Sequence, residues 1–95
     1  MDILVIGGGG REHSLCWAIS KSPRCNKLYC TPGNAGISDI AECVNIPDDN
    51  ISDIVTFAKI NNIDLVVIGP EGPLVLGLVD ALEAENIKTF GPSAN

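Results

Sequence analysis

Aromatic rings, basic side chains and histidine are all scarce in this sequence. Of its 95 residues only 4% are Phe, Trp or Tyr, so a core has to come from the aliphatic part of the 45% that is hydrophobic. Six Lys and Arg stand against twelve Asp and Glu, a net charge of −6. That balance withholds the basic face that duplex nucleic acid or an anionic membrane surface requires. It does not exclude a small anion, because a local nest of N–H groups can outweigh global charge. No apolar run approaches the roughly 18 residues of a membrane span. "MDILVI" has no basic segment ahead of its short apolar run, so no signal peptide is expected. Cys16, Cys25, Cys30 and Cys43 include no C-x-x-C pair, and His13 is the single histidine, which argues against a zinc site. Free thiols in a reducing compartment, hence a cytoplasmic protein, are the expectation.

What the sequence does have is an alternation of short apolar runs and amphipathic ones. "DILVI" (2–6) and "DLVVI" (64–68) are continuous and β-branched, as strands buried on both faces should be. "KLYC" (27–30), "CVNI" (43–46) and "KTF" (88–90) read as three further strands. Helices are expected over 11–21, 51–61 and 74–85. The first has Glu12, Leu15, Cys16 and Ile19 at helical spacing, and Ser22-Pro23 ends it. The second has Asn50 as N-cap, Asp53 in its first turn, and Ile51, Ile54, Val55 and Ala58 on one face. The third buries Val75, Leu78, Val79 and Leu82. Length allows one domain, which buries roughly 60–70% of the surface of its unfolded chain. Strand–helix alternation implies an α/β, Rossmann-like, doubly wound sheet of about five mostly parallel strands in the order 3-2-1-4-5, with helices on both faces.

In such a sheet ligands bind beyond the carboxyl ends of the strands, where strand order reverses. Four turns fall there, 7–13, 31–36, 69–74 and 91–95, and they are the four glycine–proline clusters of the chain. Four successive glycines, Gly7 to Gly10, let backbone approach a ligand closely, and the following helix start offers free N–H groups to an anion. The dinucleotide fingerprint is absent, because Glu12 and His13 stand where a third glycine is needed, and no Walker A loop is present. Glu12 reads either as a helix cap or as a carboxylate that holds an amine or hydroxyl. Arg11 reads as the cation for an anion or as a solvated side chain, and His13 as pocket or surface histidine. Glu71, between Gly69-Pro70 and Gly72-Pro73, is a carboxylate on a stiff arm suited to sugar hydroxyls, or else a solvated turn residue. Asn34 can donate and accept, or simply form its turn.

"GGREHSL" (9–15), "PGNAG" (32–36), "GPEGPLVLG" (69–77) and "FGPSA" (90–94) stand in one order and spacing over essentially the whole chain. This set resembles the N-terminal, pre-ATP-grasp domain of the phosphoribosylamine–glycine ligase family, also called glycinamide ribonucleotide synthetase. The resemblance implies an ATP-dependent C–N ligase that joins glycine to 5-phosphoribosylamine, through glycyl phosphate, in de novo purine biosynthesis. It implies that residues 1–95 form one wall of the phosphoribosylamine pocket, lined by Gly9, Gly10, Arg11, Glu12, His13, Asn34 and Glu71, with Glu71 on ribose hydroxyls. It implies no catalytic nucleophile and no metal ligand in this chain. ATP and magnesium (or manganese) belong, on this resemblance, to ATP-grasp and C-terminal domains absent here, so the chain alone is expected to be inactive and to bind neither. Those domains are its expected partners. Two departures are Gly72, which loosens the arm under Glu71, and Ser14 where alanine is more usual. The competing reading is a free-standing module that binds a small anion or a partner protein without catalysis.

Overall fold

The computed structural model describes residues 1–69 and 73–91. Its elements run β1 (Asp2–Gly7), α1 (Gly10–Ser20), β2 (Lys27–Pro32), a 3-10 turn (Ile37–Asp39), β3 (Glu42–Cys43), α2 (Ile51–Ile60), β4 (Leu65–Ile68), α3 (Pro73–Ala84) and β5 (Lys88–Phe90). The strands form one sheet in the order β3-β2-β1-β4-β5. Every pairing is parallel. This is the architecture and the strand order that the apolar pattern predicts.

β1 lies at the centre because it can be buried on both faces. Leu4 and Ile6 point to one side with Tyr29, Val66 and Ile68, where α2 and α3 cover them through Ile54, Ala58, Leu78 and Leu82. Ile3 and Val5 point to the other side with Cys30 and Val67, beneath α1 and the 3-10 turn through Cys16 and Ile37. Tyr29 meets Phe57 edge-on, with ring centroids 5.2 Å apart. Removing a side chain such as Leu4, which is fully buried, is worth about 2–5 kcal/mol of stability.

The helix starts follow their sequence signals. The Asn50 side chain accepts the Asp53 N–H at 3.1 Å, the expected cap of α2. In α1 Glu12 and Cys16 are buried and Leu15 and Ile19 pack at the edge of the core, the predicted stripe.

Two strands differ from expectation by more than one residue. β2 runs on through Thr31 and Pro32, which the turn chemistry assigns to a loop. Proline is tolerated there because the next residue makes the ladder bond: the Gly33 N–H donates to the Gly7 carbonyl at 3.1 Å. β3 is only Glu42–Cys43, shorter than and offset from the expected 43–46. Ile46 is held instead by the Thr31 hydroxyl, which donates to its carbonyl and accepts its N–H. A side chain thus replaces the sheet ladder. The 3-10 turn has no counterpart in the sequence reading.

Candidate functional site

β1 and β4 end side by side, with Ile6 opposite Ile68 and the Gly69 N–H donating to the Ile6 carbonyl at 3.1 Å. The chain leaves β1 at Gly7 with φ +130°, a conformation open to glycine and rarely to any other residue. Gly9 caps α1, and its carbonyl accepts the His13 N–H at 3.0 Å. The first turn of α1 therefore presents backbone N–H groups with no partner earlier in the helix, beside the positive end of its dipole.

Arg11 points outward from this turn, and its guanidinium donates to the Gly69 carbonyl. Glu12 turns inward. One carboxylate oxygen accepts the Gly9 N–H at 2.8 Å, and the other lies 3.5 Å from Arg11 Nε. It is buried in a hollow with no side chain opposite. A Cβ at Gly7 would come within 2.4 Å of Glu12 Cγ, and one at Gly69 within 2.3 Å of Oε2. His13 lies half-buried, its ring over Gly36, where a Cβ would approach to 2.9 Å.

From the turn after β2, Asn34 joins the same rim. Its side-chain amide donates to the Gly8 carbonyl at 2.8 Å and its oxygen accepts the Ile37 N–H at 2.9 Å, which seats the 3-10 turn. Gly33, with φ +72°, sits over Cys43. Two hollows flank the rim. One of about 490 Å³ is lined by Gly10, His13, Ser14 and Trp17. The other, of about 340 Å³, is lined by Arg11, Leu15, Val67, Ile68, Gly69, Phe90 and Gly91.

Six of the residues singled out from sequence, Gly9, Gly10, Arg11, Glu12, His13 and Asn34, therefore gather along the carboxyl ends of β1 and β2. Glu71 lies outside the described residues. The sequence assigns Gly7 and Gly8 to the close approach of a ligand and Gly69 to the arm of Glu71, and does not announce the room that Gly7 and Gly69 leave for Glu12. The signal available was the glycine directly after each central strand, where a buried neighbour needs room. Among the described residues no group of three His, Cys, Asp or Glu side chains is placed to hold a metal ion, and Glu12 occupies the Gly9 N–H, leaving the later N–H groups of the first turn of α1 open. Among them, too, no helix is long and apolar enough to cross a membrane.

Fold and rim together define a class: a Rossmann-like α/β domain with a glycine-rich β1–α1 turn at the topological switch point of its sheet. The family described as phosphoribosylglycinamide synthetase, N domain, matches residues 1–95. The chain belongs to that family. It is 54% identical over 94 residues to the phosphoribosylamine–glycine ligase of Rhizobium meliloti, which covers 99% of this chain and 22% of that protein. It is 53% identical over 93 residues to the enzyme of the same name from Caldanaerobacter subterraneus, at 98% and 22% coverage. Against that of Halalkalibacterium halodurans identity is 46% over 93 residues, again 98% and 22%. The chain thus spans about a fifth of the length of the curated relatives it matches.

Proposed function

We propose that this chain is the N-terminal domain of a cytoplasmic, ATP-dependent ligase that joins glycine to 5-phosphoribosylamine in purine biosynthesis. In this reading it forms one wall of the phosphoribosylamine pocket, made by Gly9, Gly10, Arg11, Glu12, His13, Asn34 and Glu71. The observation that carries the reading is the convergence of the glycine turn, Arg11, Asn34 and Gly69 on one rim. The N–H groups at the start of α1 and the exposed guanidinium of Arg11 suit the sugar phosphate. The Glu71 carboxylate suits the vicinal ribose hydroxyls. ATP and magnesium belong to the remaining ligase domains, which are its partners. This chain contributes positioning: a phosphosugar held by its phosphate presents its amine in one direction, which is a large part of what a ligase needs.

Arg11→Ala in the complete ligase tests the reading. A charge-assisted hydrogen bond contributes about 1.5–3 kcal/mol, which corresponds to roughly a tenfold to hundredfold fall in kcat/KM for phosphoribosylamine. The constants for ATP and glycine should move little. Lys27→Ala, at the opposite end of β2, should leave all three unchanged. Equal losses toward all three substrates with Arg11→Ala would show a folding defect, and unchanged kinetics would remove Arg11 from the pocket.

A further inference from the structure

Among the described residues Glu12 is the one charged residue that is buried, at 7% exposure. A carboxylate that merely capped α1 would reach its N–H from solvent. This one lies over the ends of the two central strands, where Gly7 and Gly69 are both without a Cβ. The space is specific to its side chain: methyl groups at those positions would stand 2.4 Å from Cγ and 2.3 Å from Oε2. Burying a carboxylate is costly unless its oxygens are engaged. Here Oε1 accepts the Gly9 N–H, Oε2 faces Arg11 Nε, and Arg11 in turn donates to the Gly69 carbonyl. One side chain therefore touches the β1–α1 turn on one side and the end of β4 on the other.

We propose that Glu12 is a positioning residue rather than a substrate contact. Its buried side chain locks the Gly7–Gly10 turn over Gly69 through the Gly9 N–H and so sets where the start of α1 presents the Arg11 guanidinium. This rests on the reading of that rim as the phosphoribosylamine wall. A carboxylate that bound the substrate amine would need its negative charge. A strut needs only its length and an acceptor oxygen, and glutamine keeps both.

Three variants of the complete ligase separate these roles. Glu12→Ala should raise KM for phosphoribosylamine at least tenfold, with a smaller change in kcat. It should also speed amide exchange at least tenfold in peptides that span the β1–α1 turn. Glu12→Gln should stay within about threefold of the wild type in KM and keep the turn protected. Gly69→Ala should lower Tm, and by half as much or less when Glu12 is already alanine, because the collision is then gone. If Glu12→Ala does not fold, Glu12→Gln decides alone: a KM near wild type is expected, and a rise as large as that of Arg11→Ala overturns the proposal. Equal damage from Gln and Ala, with the turn still protected in Gln, would make Glu12 a charged substrate contact. Faster exchange in Glu12→Ala with unchanged KM, while Arg11→Ala still raises it, also overturns the positioning role. Unchanged KM in both Glu12→Ala and Arg11→Ala overturns the pocket reading beneath it.

Discussion

Asn34 holds the Gly8 carbonyl at 2.8 Å and so ties the turn after β2 to the turn after β1. Its oxygen is engaged as well, by the Ile37 N–H. Each side-chain-to-backbone bond contributes about 0.5–1.5 kcal/mol. Asn34→Ala should therefore lower stability by about 1–3 kcal/mol, read as a fall in the urea midpoint with an unchanged slope. A midpoint equal to the wild type would mean that the two turns are held together without it.

Thr31 is fully buried, and its hydroxyl satisfies both the N–H and the carbonyl of Ile46. Valine has nearly the same shape and no hydroxyl. Thr31→Val should cost about 1–3 kcal/mol, because the Ile46 carbonyl loses its donor while the Ile46 N–H keeps only the Val44 carbonyl. Thr31→Ser keeps the hydroxyl and should cost less than half of that. Thermal unfolding of the two variants side by side checks the order, and a Val variant as stable as Ser would contradict it.

The Cys30 thiol is fully buried and donates to the Gly7 carbonyl at 3.3 Å. The neighbouring Cys16 and its own burial push it above the ordinary thiol range, and the nearby Glu12 carboxylate acts in the same direction, while Cys16 itself is drawn below that range by Cys30. In the unfolded chain a thiol ionises at about 8.5. Above that pH the unfolded state releases a proton that the native state keeps, so stability is complete below it and is lost as pH rises past it. Through Cys30 the urea midpoint should fall above about pH 9, against the smaller opposing contribution of the lowered Cys16. Cys30→Ala should flatten that fall, and an identical alkaline slope in the variant would assign it elsewhere.

NADH should give no saturable fluorescence change with this chain at low micromolar concentration. Glu12 fills the space above Gly7 and takes the Gly9 N–H, so the close approach that a pyrophosphate makes to a glycine turn is blocked. A saturable signal in that range would show that Glu12 can swing out.

Sheet order and core were legible because β1 and β4 are unbroken apolar runs and the helices keep a 3.6-residue stripe. Element ends were less legible. "CVNI" has the composition of a strand, yet past Val44, whose N–H still donates to the Cys30 carbonyl, the Thr31 hydroxyl replaces the ladder at Ile46. No local pattern announces that exchange, since Thr31 and Ile46 meet only through the fold. The rim was legible as four glycine clusters. The burial of Glu12 was not, because the hollow it fills is made by two glycines far apart in the chain, one ending β1 and the other just past β4.

The central place of β1 also sets an order on synthesis. It is the first of the five strands to be made and the most deeply enclosed, yet its edge facing β4 has no partner until Leu65–Ile68 emerges. During that interval an apolar strand with an open edge is available for pairing with another chain. Closing the sheet across so much intervening chain is slow compared with forming a helix. The domain is therefore most exposed to aggregation after β2 is made and before β4 arrives, and any factor that shields nascent apolar strands would act on it in that window.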